Sequence, residues 1–115
     1  MRKVYYLSTC DTCKRIMSEL DLSGFEKQDI KTEPMTADQI EAMHALSGSY
    51  ESLFSKVARK YRALGLNEKQ LTEEEMKQHI LDEYTFLKRP VFIIDNEIFI
   101  GNSKKNVEAV KQALG

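Results

Sequence analysis

The chain has 115 residues, of which 42% are hydrophobic and 30% are charged, and this composition is typical of one folded domain. Its formal net charge is -1, so no overall positive field attracts nucleic acid or an anionic membrane surface. Apolar stretches such as 91–94 are far too short to cross a bilayer, and the polar residues after the basic start predict no signal peptide. We therefore expect a cytoplasmic protein with no membrane partner and no direct nucleic-acid partner.

The first thirty residues predict a strand, a helix and a second strand. A β-rich run covers 3–7, Ser8 and Thr9 provide a helix cap, and the apolar spacing predicts a helix over 11–22. A partly exposed strand is predicted at 25–30. This order favours a parallel βαβ unit.

The middle of the chain predicts helices and no strand. Apolar residues recur at helical spacing over 37–46, 51–64 and 73–81. Thr72 and Glu75 fit a capping box at the start of the third helix. The second helix is expected to turn four apolar or aromatic side chains inward: Leu53, Phe54, Val57 and Tyr61.

Strand character returns near the end of the chain. Runs at 90–94 and 97–100 flank an Asp-Asn turn and predict a hairpin, and Ser103 caps a final helix that reaches Leu114. The order βαβ, helical block, ββα indicates an α/β thioredoxin-like fold with a helical insertion between its two halves. We expect a single domain over 1–115, with a core at 1–32 and 86–115 and the insertion at 33–85.

Cys10 and Cys13 are the only cysteines, and they are placed where the first strand gives way to a helix. The free amides and the dipole at a helix N-terminus stabilise a thiolate, so Cys10 is the predicted nucleophile. Cys13 lies one turn further on, within reach for a disulfide, and is the predicted resolving thiol. Lys14 adds a positive charge that stabilises the thiolate, and Asp11 opposes it.

Two other interpretations of the cysteine pair stay open. A zinc half-site needs two more ligands, and His44 and His79 are the only histidines and lack paired spacing. Two inert buried cysteines are the other alternative. We expect a redox dithiol with no metal.

A proline and two arginines complete the candidate site. In a thioredoxin fold, a cis-proline at the start of the third strand faces the cysteines, so Pro90 is predicted to be cis. Arg89 would then lie beside the thiol and hold an anion or stabilise the thiolate; the alternative is a surface arginine. Arg59, in the basic run 56–62, is a second candidate anion ligand, and the alternative there is a solvated helix face.

Four segments together resemble the ArsC family, which includes arsenate reductases and the Spx transcriptional regulators. They are YYLSTCDTCKRI, YRALGLNEKQLTEEEM, LKRPVFIIDN and IFIGNSKKNVEAV. The resemblance covers nearly the whole chain and implies a thioredoxin-like core with a helical insertion. It also places the family's catalytic cysteine on Cys10 and its Arg-Pro pair on Arg89 and Pro90.

The match to glutaredoxin-coupled arsenate reductases is incomplete. Of the three arginines that hold arsenate in those enzymes, only Arg89 is matched; the middle position falls near Ser55, with Arg59 one turn further on, and the last falls near Gly101. Their His-Asn pair before the cysteine is replaced by Tyr6-Leu7. A second cysteine at position 13 is more similar to Spx, although the longer C-terminal tail of Spx is not expected here.

The resemblance implies a thiol-disulfide oxidoreductase that acts on a small oxyanion or a disulfide. It implies no bound cofactor, and regeneration of the dithiol by glutaredoxin, thioredoxin or glutathione. The alternative is a Spx-like redox-responsive regulator that binds the C-terminal domain of the RNA polymerase α subunit.

Overall fold

The computed structural model describes residues 2–115, which form four strands, five α-helices and short 3-10 turns. In chain order the helices and strands are β1 (Arg2–Tyr6), α1 (Asp11–Ser18), β2 (Glu26–Asp29), α2 (Ala37–Ser47), α3 (Arg59–Ala63), α4 (Glu73–Asp82), β3 (Val91–Ile94), β4 (Glu97–Ile100) and α5 (Lys104–Leu114). None of the helices in this described part of the chain has the length and apolar character needed to span a bilayer.

The four strands form one mixed sheet in the order β2-β1-β3-β4. β1 pairs in parallel with β2, whereas β3 pairs antiparallel with both β1 and β4. The parallel pair is joined through α1, as the predicted βαβ unit requires, and β3 and β4 form the predicted hairpin. The fold is therefore the expected α/β, thioredoxin-like one.

The chain divides into two compact units. The sheet unit consists of the chain up to Glu33 together with Arg89–Gly115, and the helical unit is Pro34–Lys88. The sheet unit contains β1 to β4, α1 and α5. The helical unit contains α2, α3 and α4.

Alternating strand residues build the core of the sheet unit, because successive side chains on a strand point to opposite faces. Val4, Phe92 and Ile94 face one side and pack with Ile16 of α1 and Val107 of α5. The ring of Phe92 is fully buried and meets the edge of a second aromatic ring, that of Phe25. This apolar layer fixes α1, and hence the cysteine-bearing turn, against the sheet.

Polar caps define the helices of the helical unit. Thr36 and Thr72 are the N-caps of α2 and α4, and each forms a full capping box with the residue three positions later. The confirmed box at Thr72 follows the sequence pattern, because its hydroxyl and the Glu75 side chain satisfy amides that the helix itself cannot.

The predicted helix over 51–64 is wrong. Only 51–53 forms a 3-10 turn, Phe54 is extended and bridges to Leu87, and α-helix is confined to α3. Val57, expected to face inward, is 93% exposed. The physical reason is competition for the backbone groups: the Ser55 amide donates to the Phe86 carbonyl at 2.7 Å, and the Leu53 carbonyl accepts from the Lys88 amide at 2.8 Å. These long-range bonds outweigh a weak helical preference.

The first helix also ends earlier than predicted, at Ser18 rather than near residue 22. The Ser18 hydroxyl donates back to the Arg15 carbonyl at 2.6 Å, and the Asp21 carboxylate accepts from the Ser23 amide at 3.1 Å. Such local side-chain bonds offer the backbone an alternative to another helical turn.

Candidate dithiol site

Cys10 lies where the chain leaves the sheet and enters α1. Its amide donates to the Leu7 carbonyl at 3.0 Å, which closes a tight turn after β1, and its carbonyl accepts from the Lys14 amide at 3.2 Å. Cys10 is therefore the N-cap of α1, and the predicted cap at Ser8 or Thr9 is wrong because both residues belong to the preceding turn. This position puts the Cys10 sulfur at the positive end of the helix dipole.

The two cysteines are free thiols in different surroundings. Cys10 is partly exposed, whereas Cys13 is fully buried with 0% of its surface exposed. A reagent from solvent can therefore reach the Cys10 sulfur first.

The surroundings of Cys10 make its thiol more acidic than a free thiol. Partial burial raises the pKa of Cys10, but the Cys13 amide, the Cys13 thiol, the Arg89 guanidinium and the Thr12 amide together lower that pKa below 9.0. Hydrogen-bond donors and a positive charge both favour the thiolate. Since the thiolate is the nucleophilic form, the shift favours reaction at Cys10 over reaction at Cys13.

The Cys13 thiol favours its neutral form. Burial and the adjacent Cys10 sulfur raise the pKa of Cys13, the Leu7 amide and the Arg89 charge lower it, and the net result is a pKa of about 11. Two interacting thiols one helical turn apart thus hold one negative charge more easily than two. Cys10 is therefore the more acidic thiol of the pair, and Cys13 is the less acidic one.

Arg89 and Pro90 complete the site within the sheet unit. The Arg89–Pro90 peptide bond is cis, Pro90 is buried, and its carbonyl accepts from the Gly101 amide at 2.9 Å. The half-buried Arg89 lowers the pKa of both Cys10 and Cys13, which places its charge close to the dithiol.

The other two predicted cations have different locations. Lys14 is exposed on the first turns of α1, so solvent screens its charge. Arg59 is the first residue of α3, in the helical unit, and is exposed. The sheet unit thus contains Cys10, Cys13, Arg89 and Pro90, with Arg89 acting on both thiols and Lys14 exposed on α1.

The histidines considered as zinc ligands both lie in the helical unit and contact aromatic rings. His44 stacks on Tyr50, and His79 packs near Phe54 and Phe86. Within residues 2–115, no three His, Cys, Asp or Glu side chains are grouped as a metal site.

Sequence reasoning missed one residue that touches the site's supporting turn. The Asp29 carboxylate, at the end of β2, accepts hydrogen bonds from the Ser8 and Lys31 amides, both at 3.2 Å. Its position is the signal that was available: an aspartate at the carboxyl end of a strand that pairs in parallel with β1.

The fold and the dithiol define a thioredoxin-like protein with two unequal cysteines. The profile of the ArsC family matches residues 5–110, and the chain belongs to that family. The comparison with curated proteins gives no match.

Solved structures with the same fold carry related names. A possible arsenate reductase from Streptococcus mutans is 29% identical, with 96% of this chain and 97% of that chain covered and a TM-score of 0.73. An arsenate reductase from Vibrio cholerae is 14% identical, with coverages of 97% and 96% and a TM-score of 0.73. An arsenate reductase-related protein from Brucella melitensis is 22% identical, with coverages of 94% and 92% and a TM-score of 0.72. These similarities establish an arsenate reductase-like fold.

Proposed function

We propose that the protein is a thiol-dependent reductase, with Cys10 as the nucleophile and Cys13 as the resolving thiol. The observation that carries the proposal is the division of the dithiol: Cys10 is partly exposed with a lowered pKa, and Cys13 is buried with a pKa of about 11. A dithiol reductase needs this asymmetry, because one sulfur must attack the substrate while the other stays protonated until the adduct has formed.

With a disulfide substrate, the reaction is two successive exchanges. The Cys10 thiolate attacks one substrate sulfur, a Cys10–substrate S–S bond forms, and the second substrate sulfur leaves as a thiolate that takes up a proton. Cys13 then loses its proton and attacks the Cys10 sulfur, which releases the remaining substrate thiol. Overall, the substrate gains two electrons and the pair becomes a disulfide.

With arsenate, the same pair supplies the two electrons. The Cys10 thiolate displaces one arsenate oxygen, which leaves as water after protonation, and an arsenic–sulfur bond forms. Attack of Cys13 on the Cys10 sulfur breaks that bond, and its electron pair stays with arsenic, which becomes arsenite. Arg89 supports this route, because a guanidinium binds oxyanions well.

The order of the two attacks follows from the electrostatics of the pair. The neighbouring Cys10 sulfur is one of the causes that raise the pKa of Cys13. Once Cys10 is bonded to substrate, its negative charge is gone, so the pKa of Cys13 falls. Formation of the adduct thereby activates the thiol that resolves it.

Return to the dithiol requires a reductant that performs the exchange in reverse. We propose glutathione or a protein dithiol of the glutaredoxin or thioredoxin class for this step. Either reductant would attack the exposed sulfur, that of Cys10.

A matched pair of variants tests the proposal. Wild type, Cys10→Ser and Cys13→Ser would be assayed with arsenate and with oxidised glutathione, each with glutathione, glutaredoxin or thioredoxin as reductant. We expect Cys10→Ser to lose turnover because it has no nucleophile. We expect Cys13→Ser to accumulate a Cys10 adduct that intact-protein mass spectrometry detects.

Two outcomes would contradict this function. The first is turnover by Cys10→Ser at the wild-type rate. The second is a folded, reduced wild-type protein that turns over neither substrate with any of the three reductants.

The Spx-like alternative uses the same dithiol and stays a prediction from the sequence. Retention of the RNA polymerase α C-terminal domain on the immobilised protein, in one redox state only, would support it. If the immobilised protein retains the α C-terminal domain in neither the oxidised nor the reduced state, the alternative is rejected.

A further inference from the structure

A single carboxylate ties the turn before Cys10 to the neighbouring strand. Asp29 is the last residue of β2 and lies opposite Tyr6 in the parallel pair. Its Oδ1 atom accepts the Ser8 amide at 3.2 Å, and the same oxygen accepts the Lys31 amide at 3.2 Å. The Ser8 bond joins two segments that are 21 residues apart in the chain.

The backbone around Asp29 is itself held in place. The Asp29 carbonyl accepts from the Glu33 amide at 2.8 Å and from the Thr32 hydroxyl at 3.4 Å. The next residue, Ile30, donates its amide to the Tyr6 carbonyl at 2.9 Å. The carboxylate therefore projects from a fixed point at the edge of the β1–β2 ladder.

The turn that Asp29 holds also contacts both cysteines. Leu7, directly before Ser8, accepts the Cys10 amide through its carbonyl at 3.0 Å. The Leu7 amide favours the thiolate of Cys13. A shift of Ser8 would therefore move the groups that place Cys10 at the helix N-terminus and that face the Cys13 sulfur.

We propose that Asp29 is a positioning residue for the dithiol, acting through the Ser8 amide to hold the 7–10 turn. Its place in catalysis rests on the function proposed above; its effect on the cysteines does not. Asp29 touches neither sulfur and acts through geometry.

The acceptor oxygen, rather than the negative charge, carries this role. A negative charge close to Cys10 would raise the pKa of that thiol, so the charge of Asp29 cannot be what favours the Cys10 thiolate. An asparagine keeps an oxygen that accepts both amides and removes the charge. An alanine removes both.

Three variants of the full chain separate these contributions: Asp29→Ala, Asp29→Asn and the control Asp21→Ala. Asp21 accepts the Ser23 amide and hydroxyl in an exposed turn of the same unit, so its removal costs similar bonds away from the cysteines. The measurement is the pH profile of Cys10 alkylation by iodoacetamide in the reduced protein, followed by mass spectrometry.

We expect Asp29→Ala to shift the alkylation profile to higher pH and to slow the reaction at neutral pH about fivefold, the equivalent of one ordinary hydrogen bond. Asp29→Asn should stay within about twofold of wild type, because an amide oxygen makes a comparable bond. Asp21→Ala should match wild type.

A wild-type profile in folded Asp29→Ala would overturn the proposal, and so would equal slowing in Asp29→Asn and Asp29→Ala. If Asp29→Ala does not fold, the wild-type protein provides the test by NMR. The Ser8 and Lys31 amide protons should both shift with the titration of Asp29. Desolvation raises the pKa of Asp29, but the hydrogen bonds from Ser8, Lys31 and Thr32 together lower it below 3.8. Absence of that shift would overturn the proposal. Since alkylation needs no substrate, a protein with these profiles and no turnover would contradict only the proposed function.

Discussion

The sheet unit and the helical unit both bury apolar side chains, but they differ in what polar side chains add. A continuous apolar cluster between the sheet, α1 and α5 holds the sheet unit together. In the helical unit, side chains satisfy helix termini: both long helices begin with capping boxes, and the Glu73 carboxylate accepts the Tyr50 and Glu51 amides at 2.7 and 3.0 Å. The dithiol and Arg89 lie in the sheet unit, where packing of Ile16 against the strands holds the cysteine-bearing helix α1 in place.

The largest expected effect comes from the core of the sheet unit. Phe92→Ala removes a fully buried ring from the central strand β3 and leaves a cavity, so we expect the free energy of unfolding to fall by about 3–5 kcal/mol. Urea denaturation of the reduced protein measures this loss. The control is Phe99→Ala on the edge strand β4, where the ring is half-buried and the loss should be smaller. Equal losses would contradict the picture of a core centred on β3.

The next effect compares an arginine from each unit. Arg89→Gln removes a charge that lowers the pKa of Cys10, so the pKa rises and alkylation at neutral pH slows by up to about tenfold. Arg59→Gln, in the helical unit, tests the anion ligand predicted from the sequence. Under the proposed function, a raised KM for an oxyanion would support that prediction, with no change in alkylation of the free protein. Slower alkylation in Arg59→Gln, or an unchanged rate in Arg89→Gln, would reverse these assignments.

A smaller effect is expected from the polar caps of the helical unit. Thr72→Ala and Thr36→Ala each remove a hydroxyl that accepts an amide in the first helical turn, and each should lower the free energy of unfolding by about 1 kcal/mol. The losses should be similar because both caps have the same geometry. A loss of unfolding free energy close to that of Phe92→Ala would contradict a role limited to capping the start of each helix.

The smallest effect concerns a surface ion pair of the helical unit. The Lys60 ammonium lies 2.6 Å from a Glu83 carboxylate oxygen and lowers the pKa of Glu83 below its usual 4.5. A lowered folded-state pKa adds stability above pH 4.5, and this stability is lost as the pH falls through the folded value. Lys60→Met should flatten that part of the acid-denaturation curve at low salt and change little at high salt. A salt-independent change would contradict a screened surface pair.

Much of the fold follows from local patterns. The β-rich runs near both ends of the chain predicted the strands, and the Thr72–Glu75 spacing predicted a capping box that the structure contains. The segment 54–58 could not be predicted, because its conformation is set by backbone bonds to residues 86 and 88, far along the chain. A short stretch of sequence shows helical spacing, but it does not show that distant residues will bond to the same backbone amides and carbonyls.

The cysteine spacing likewise indicated which residues to examine but not how their environments differ. Helix position predicted a reactive Cys10, whereas the pKa of Cys13 depends chiefly on complete burial, which only the packed structure reveals. The role of Asp29 was not predicted either, because its bond to Ser8 joins two segments that are 21 residues apart in the chain.

Complete burial of Cys13 has a consequence for any partner that becomes linked to this protein. Under the proposed function, such a partner is bonded to Cys10. The sulfur that releases it, that of Cys13, is buried and closed to solvent. The lifetime of the covalent complex then depends on how fast Cys13 ionises and approaches, as well as on how readily the partner's sulfur leaves. Burial of the resolving thiol thus helps to set how long the substrate stays covalently bound to the protein.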